Sequence, residues 1–217
     1  MLNGQTMKID VITVGPFAMN AMICYSEETK RGFLVDPGDE IDRILARVKE
    51  LGVTIEAIVF THGHIDHVAY AEEARTQLKV PTYLHKDDWA MAQGVPQQAM
   101  MFGLPPCPVT KIDHELPGQG EFEVAGLKFE LFHTPGHSPG SVTLVSKDSN
   151  QAIVGDVVFA GSIGRTDLPG CSTQALNESL RRVILKLDDD IVLYPGHGPK
   201  TTVGRERKSN PFLLALA

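Results

Sequence analysis

Long hydrophobic runs are absent from this sequence of 217 residues. No stretch of about 18 uninterrupted apolar residues is available to cross a bilayer as a helix. Cysteine is scarce, and Cys24, Cys107 and Cys171 are widely spaced, without a C-x-x-C pair. Residues 1–8 show no basic region followed by an apolar one, so no export signal is predicted. We therefore expect a cytoplasmic protein with reduced thiols.

Positive charge is also in short supply. The chain has 20 Lys+Arg against 27 Asp+Glu, which gives a formal net charge of −7. Its longest basic cluster is the short stretch 205–208. Because a negative field repels phosphate groups, we predict no nucleic-acid partner and no anionic membrane partner. A small-molecule partner is expected instead, and the oligomeric state stays open.

The apolar pattern is that of a mixed α/β chain. Strands are predicted over 9–14, 21–25, 32–35, 55–60, 82–84, 122–124, 128–132, 141–145, 152–154 and 191–194. Helices are predicted over 41–51, 68–78 and 173–187, with Asp39 and Thr173 as N-caps of the first and last. The order of elements suggests two similar halves. We predict one continuous domain over residues 1–217 with four α/β layers.

The segment 87–117 has no clear periodicity and is rich in proline and methionine. Two short helices are predicted in it, around Trp89 and Gln98, and the segment could act as a flap. An apolar cluster of Trp89 with Met100, Met101 and Phe102 could form a dimer contact or a substrate wall. Core packing is the slightly favoured alternative.

Five histidines lie in three glycine-containing turns, each directly after a predicted strand. The first turn is the densest, with His62, His64, Asp66 and His67 within six residues. A single cation does not easily take all four side chains. The pattern favours two adjacent divalent ions, with His62 and His64 turned to one and Asp66 and His67 to the other.

Three later turns, each after a predicted strand, contain His137, Asp156 and His197. Asp156 ends an apolar strand, where a carboxylate is costly unless it is paired or metal-bound, although a turn aspartate is an alternative. His133 is predicted to be structural. His85 and His114 lack a ligand-like context and are expected at the surface or in loops.

The ordered set His62-x-His64-x-Asp66-His67, His137, Asp156 and His197 resembles the metallo-β-lactamase superfamily. The resemblance covers nearly the whole chain and implies a four-layer αββα sandwich with mixed sheets. It also implies two divalent ions, foremost zinc, with iron or manganese as alternatives. The implied ligand sets are His62, His64 and His137 for one ion and Asp66, His67 and His197 for the other, with Asp156 bridging. Asp66 is also the implied catalytic residue, which orients a water molecule.

Asp36, in the turn Asp36-Pro37-Gly38, matches a further motif of the superfamily. The resemblance implies that it orients a ligand histidine by contacting the side of the ring away from the metal. A plain turn aspartate is nearly as good an interpretation. The best-known zinc β-lactamases carry cysteine at the position of Asp156, so cleavage of penicillins is a poor first hypothesis.

Within the superfamily, the segment 155–165 resembles that of glyoxalase II, and the C-terminal segment is similar to the small single-domain bacterial hydrolases of that type. This implies hydrolysis of a thioester such as S-D-lactoylglutathione. The longer glyoxalase II enzymes bind glutathione through a C-terminal helical domain, whereas only 20 residues follow His197 here (217 − 197). We therefore expect contacts from 87–117 or a different acyl carrier.

Few cations are available to bind a carboxylate of the substrate. Arg165 is expected to pair with nearby acids, with a substrate role as the alternative, and the other cations considered are Lys86, Lys111, Arg205 and Lys208. Three other functions stay open. They are a lactonase for acyl-homoserine lactones with the same ligands, a persulfide dioxygenase with one iron at the His62, His64, His137 and Asp156 type of position, and a non-catalytic metal-binding protein.

Overall fold

Two six-stranded sheets dominate the computed structural model, which describes residues 6–216. Part of the N-terminal segment considered for an export signal therefore lies outside the described residues. The first sheet, in spatial order, contains β1 (Met7–Val14), β2 (Met19–Ser26), β3 (Arg31–Val35), β4 (Thr54–Val59), β5 (Thr82–Leu84) and β6 (His114–Glu115). Its first two pairings are antiparallel and the other three are parallel.

The second sheet takes up the following part of the chain. Its strands are β7 (Gln119–Val124), β8 (Leu127–His133), β9 (Val142–Ser146), β10 (Gln151–Gly155), β13 (Val192–Pro195) and β14 (Thr201–Thr202). Only the pairing of β10 with β13 is parallel. A small hairpin of β11 (Val158–Phe159) and β12 (Ser162–Ile163) follows β10. Each large sheet is thus formed by one continuous part of the chain.

Helices cover the outer face of each sheet. The helices are α1 (Ile41–Leu51), α2 (Ile65–Val68), α3 (Ala71–Leu78), α4 (Trp89–Gln93), α5 (Val95–Met101), α6 (Thr173–Arg182), α7 (Val203–Ser209) and α8 (Pro211–Leu214). The apolar stripe of α1 packs on the outer face of the first sheet, and that of α6 packs on the second. Both stripes recur at helical spacing, which is why these segments form helices.

The buried apolar side chains form three clusters, one for each interface between layers. The central cluster joins the inner faces of the two sheets, where the rings of Phe33 and Phe129 meet edge to face with centroids 5.6 Å apart. The two outer clusters lie between a sheet and its helices. This arrangement confirms the predicted four-layer αββα sandwich with mixed sheets. No helix within residues 6–216 is long and apolar enough to span a membrane.

The helix boundaries differ from the prediction at several places. Glu40, not Asp39, precedes α1, and its side chain accepts a hydrogen bond from the Gly15 backbone N–H at 2.9 Å instead of capping the helix. The predicted helix over 68–78 begins later, at Ala71 of α3, and the separate short helix α2 precedes it. Between the two helices the backbone N–H of Tyr70 donates to Gly38 O at 3.2 Å. Ser172, not Thr173, caps α6, which ends at Arg182.

Burial differs from the prediction at two places. His85 lies in the loop after β5, which agrees with the loop alternative, but it is buried, only 4% exposed, and its ring stacks on that of His133 with centroids 4.2 Å apart. Met100 and Met101 at the end of α5 are 81% and 85% exposed, so the favoured core packing of this cluster does not occur. His133 is structural as predicted, since its Nε2 lies 2.7 Å from Pro139 O.

Candidate metal centre

The predicted ligand residues meet at one end of the sandwich, just beyond the ends of strands from both sheets. His62 and His64 follow β4, His137 lies between β8 and β9, and Asp156 and His197 follow β10 and β13. Asp66 and His67 belong to α2, which starts directly after His64. The structure therefore brings together all seven side chains, although 135 residues separate the first from the last (197 − 62).

One group consists of three imidazoles. His62, His64 and His137 offer nitrogen atoms that lie within 4.8 Å of one another. The closest pair is His64 Nδ1 and His137 Nε2, at 2.8 Å. Three nitrogen donors converging on one point match the ligand types that zinc and other first-row transition metals prefer.

The second group contains a carboxylate and two imidazoles. Asp66 Oδ2 lies 3.1 Å from His197 Nε2 and 3.6 Å from His67 Nε2. Asp156 lies between the groups: its Oδ2 is 3.4 Å from His137 Nε2 and 3.5 Å from His197 Nε2. Its Oδ1 is 3.6 Å from His67 Nε2. One carboxylate thus contacts both groups.

Contacts behind the imidazoles decide which nitrogen each ring presents. His67 Nδ1 donates to Asp36 Oδ2 at 2.9 Å, and His137 Nδ1 donates to Arg165 O at 2.9 Å. The Thr61 hydroxyl donates to Asp36 Oδ2 at 2.6 Å, so it accepts from His62 Nδ1 at 3.0 Å. His62 and His137 thereby keep an Nε2 lone pair for the centre, and His67 turns its Nε2 toward it.

Asp36 is fully buried and occupies the left-handed backbone region, with φ of 49°. This conformation aims its carboxylate at Thr61 and His67, so the structure favours the holding role over a plain turn aspartate. Through these two partners, Asp36 orients one ring of each group.

Burial keeps two rings of the first group neutral. The pKa of His62 lies well below its ordinary value because the ring is buried and neighbouring imidazoles disfavour a second positive charge. Burial, followed by the nearby His137, lowers the pKa of His64 to about 3. Neutral imidazoles are the form that binds a metal, so neither ring has to lose a proton first.

In the second group, nearby opposite charges favour the charged forms of the side chains. Burial opposes a charge on His67, but Asp66, Asp36 and Asp156 outweigh it and raise the pKa of His67 to about 10. Burial likewise opposes ionisation of Asp66, yet His67 and His197 lower its pKa below the ordinary value. Burial raises the pKa of Asp156. Carboxylates that stabilise an imidazolium this strongly would also stabilise a metal cation.

Unpaired buried atoms indicate that the side chains fit such a cation. His62 Nε2, His67 Nε2 and Asp156 Oδ1 are buried and have no hydrogen-bond partner within residues 6–216. Buried polar atoms are rarely left without a partner, and all three point into the same centre. Gly196 keeps the space open, because a Cβ on it would lie 2.2 Å from Asp156 Oδ1 and 2.8 Å from His67 Cε1.

The centre opens to solvent on one side. His62 and His67 are fully buried, whereas the side chains of Asp66 and His197 are 16% and 27% exposed. Phe159 on β11 packs its ring edge to face against His197, with centroids 6.1 Å apart. A substrate can therefore approach along the side formed by Asp66 and His197.

An apolar rim borders this opening. A narrow groove beside Asp66 is lined by Phe17, Ile65, Tyr70 and Leu104. Phe17 meets Phe102, at the C-terminal end of α5, edge to face with centroids 5.9 Å apart. The exposed apolar cluster thus lies close to the groove, as is required if the cluster forms one wall of a substrate-binding site.

Three of the five cations considered in the sequence have acidic partners nearby. Arg165 pairs with Asp167 at 2.7 Å and 2.8 Å, as expected for a structural role. Lys86 pairs with Glu115 at 3.3 Å, and Lys111 pairs with Asp113. Arg205 and Lys208 are exposed on α7.

Two side chains that support the centre were not predicted from the sequence. Thr61 links Asp36 to His62, and its position directly before His62 was the only hint. Asn20 Nδ2 donates to Pro195 O at 3.1 Å and Gly198 O at 2.8 Å, which ties the first hairpin to the loop of His197. No local pattern marks Asn20, because its partners lie 175 or more residues away.

Comparison with known proteins places this geometry in a family. The family model described as "Metallo-beta-lactamase superfamily" matches residues 16–197. The chain is 37% identical, over 209 residues, to the hydroxyacylglutathione hydrolase GloC of Haemophilus influenzae (strain ATCC 51907 / DSM 11121 / KW20 / Rd). The match covers 95% of this chain and 98% of that relative.

Two solved structures are similar over almost their whole length. The BLEG-1 B3 metallo-β-lactamase has a TM-score of 0.89 and 34% identity, covering 95% of this chain and 99% of the other. TTHA1623, solved in a di-iron-bound form, has a TM-score of 0.85 and 37% identity, covering 94% and 100%.

Proposed function

The chain belongs to the metallo-β-lactamase superfamily of metallo-hydrolases, and within it we propose that this protein is a dinuclear metal-dependent thioester hydrolase. S-D-lactoylglutathione is the foremost candidate substrate. The observation that carries the proposal is the position of Asp156 between two groups of three potential ligands. A carboxylate in that place suits a bridge between two cations.

In this proposal His62, His64 and His137 hold one cation, and Asp66, His67 and His197 hold the other. Two cations here would supply Lewis acidity, which lowers the pKa of a bound water molecule toward about 7 and polarises a carbonyl oxygen. Zinc is the foremost candidate, because it binds imidazole and carboxylate ligands, and iron and manganese are alternatives. The di-iron form of TTHA1623 supports iron as one of these.

Asp66 is the chain's own group for handling the proton of the attacking water. Its side chain is partly exposed at the opening, and its neighbours lower its pKa, so it is ionised at neutral pH. An ionised carboxylate in hydrogen-bond reach of a water can orient it and accept its proton.

The leaving group explains the preference for a thioester. A thiol has a pKa near 8.5, so a thiolate departs without a strong acid beside it. Water adds to the carbonyl carbon, the carbon–sulfur bond breaks, and the products are a carboxylic acid and a thiol. No serine or cysteine nucleophile is needed, and Cys24 and Cys107 are buried.

Similarity to the hydrolase named GloC supports glutathione thioesters, whereas similarity to a protein named as a B3 metallo-β-lactamase makes β-lactams the second candidate class. The lactonase and the persulfide dioxygenase remain alternatives.

The experiment measures the metal content of the purified protein by elemental analysis alongside its turnover of four substrates. These are S-D-lactoylglutathione, an acyl-homoserine lactone, a β-lactam, and glutathione persulfide with oxygen uptake. We expect close to two ions per chain and release of free thiol from the thioester. One ion per chain together with oxygen uptake would contradict the proposal and favour the dioxygenase. Turnover of the lactone or the β-lactam that is faster than turnover of the thioester would contradict the thioester as the substrate.

The matched variant is Asp156→Ala, with Asp148→Ala as the control in an exposed turn. Removing the carboxylate between the two groups should abolish hydrolysis and leave a folded protein. Full turnover of Asp156→Ala with two ions bound would contradict the bridging assignment.

A further inference from the structure

Asp88 is a buried carboxylate outside the proposed ligand set. It ends the 3-10 turn Lys86–Asp88 between β5 and α4 and is fully buried. No Lys or Arg within residues 6–216 forms an ion pair with it. A buried carboxyl group without an ion-pair partner has to be stabilised by hydrogen bonds, so the identity of its donors is informative.

The donors to Asp88 come from two loops that are distant in sequence. Its Oδ2 accepts from the Gly63 backbone N–H at 2.8 Å and from the Ser138 hydroxyl at 2.6 Å. Its Oδ1 accepts from the Gly140 backbone N–H at 2.6 Å. Gly63 lies between His62 and His64, and Ser138 directly follows His137.

The packing around this carboxylate is close. A Cβ on Gly140 would lie 2.7 Å from Asp88 Cγ, so the loop after His137 approaches Asp88 as nearly as a backbone can. Both carboxylate oxygens are used, and the hydroxyls of Ser138 and Ser141 lie 2.7 Å apart beside them. The two loops are therefore joined through one side chain.

These contacts concern only one of the two groups. The loops that Asp88 joins carry His62, His64 and His137, whereas no hydrogen bond within residues 6–216 connects Asp88 to Asp66 or His67. Asp36, by contrast, contacts a ring of the second group directly.

We propose that Asp88 is a positioning residue that sets the distance between the two loops of the three-histidine group and thereby its affinity for a cation. The inference rests on the proposed metal-dependent function. It assigns to Asp88 a role that the resemblance does not imply for it. An asparagine at this position would keep the shape but exchange one accepting oxygen for an NH₂ group facing an N–H or O–H donor.

The test titrates metal-stripped protein with Zn²⁺ against a chromophoric chelator, and with Co²⁺ by its visible absorption. Wild-type protein, Asp88→Asn and Asp87→Asn are compared; Asp87 is the neighbouring, exposed carboxylate. We expect Asp88→Asn to bind one equivalent of metal ion with wild-type affinity and the second equivalent about 10- to 100-fold more weakly. Asp87→Asn should bind both equivalents as wild type does.

A second background identifies the weakened site. His197→Ala removes a ligand of the second group and leaves the three-histidine group intact, so adding Asp88→Asn to it should weaken the remaining equivalent. Wild-type affinity of Asp88→Asn for both equivalents of metal, or the same loss of affinity for both, would overturn the proposal. Wild-type protein that binds no metal would instead overturn the proposed function.

Circular dichroism shows whether Asp88→Asn folds. If it does not, Ser138→Ala decides the question, because it removes a single donor to Asp88 and leaves the carboxylate in place. We expect a smaller loss of affinity at the same equivalent, and an unchanged affinity in Ser138→Ala would contradict the positioning role.

Discussion

Gly196 illustrates how one residue can control the centre without a functional group. Its hydrogen atoms face Asp156 and His67, and a methyl group there would overlap Asp156 Oδ1. Since close-packed interiors relax only in part, Asp156 or the loop of His197 would have to move.

We predict that Gly196→Ala lowers metal occupancy from two ions toward one and reduces turnover at least tenfold. Elemental analysis after dialysis and the thioester assay measure both effects. The control is Gly118→Ala, whose Cβ would meet only His85 Nε2 at an ordinary 3.6 Å. Two ions and wild-type turnover in Gly196→Ala would contradict the prediction.

The residues that lie together at the centre were predictable because they are chemically rare and stand beside glycine directly after strands. His62, Asp156 and His197 are examples. Thr61 and Asp88 were not predictable in the same way. A threonine before a histidine is commonplace, and Asp88 stands beside the exposed Asp87, so it reads as part of a solvated acidic turn.

Elements with strong periodicity were predicted well, and short ones were not. The helix α1 and strand β4 match their predicted ranges to within a residue. The two-residue strands β6, β11, β12 and β14 carry no periodicity of their own. β6 and β14 pair with the longer strands β5 and β13, and β11 and β12 pair with each other. The end of α5 was misjudged because an apolar run does not reveal whether anything covers it.

The segment that follows β5 gives a prediction about pH. Burial, with the stacked His133 beside it, lowers the pKa of His85, so the folded protein keeps this ring neutral. The unfolded chain takes up the proton near pH 6.5. The contribution of His85 to stability is therefore full above about pH 6.5 and is lost as the pH falls below it.

We expect His85→Gln to show a shallower decrease in the free energy of unfolding between pH 7 and pH 5 than wild type. Urea denaturation in the presence of a chelator measures this without a contribution from metal release. His114→Gln is the control, since His114 is exposed on β6 and should leave the slope unchanged. Parallel curves for wild type and His85→Gln would contradict the prediction.

At the scale of the whole molecule, the proposed ligands link the two sheets. Side chains after β4 belong to the first sheet, and side chains after β8, β10 and β13 belong to the second. A cation held by His62 and His137 would therefore connect both halves of the sandwich, and it would bind the native state and not the unfolded chain.

We predict that Zn²⁺ added to metal-stripped protein raises the melting temperature. A free concentration 1,000 times the Kd stabilises by about 4.1 kcal/mol per site. For a chain of this size that corresponds to about 8 to 16 °C. Calorimetry with Zn²⁺, and with Mg²⁺ as a cation poorly suited to imidazole, measures the effect. An unchanged melting temperature with Zn²⁺ would count against a native-state site.

The separation of the two sheets along the sequence affects how the protein is made. The ribosome synthesises all six strands of the first sheet, within residues 7–115, before it begins the strands of the second sheet. At about 5 to 20 residues per second, the 87 residues from 116 to 202 take several more seconds (202 − 115). During that interval the second sheet is not yet present to cover Phe33 and Val59 on the first sheet. These side chains form an exposed apolar surface of the kind that chaperones bind.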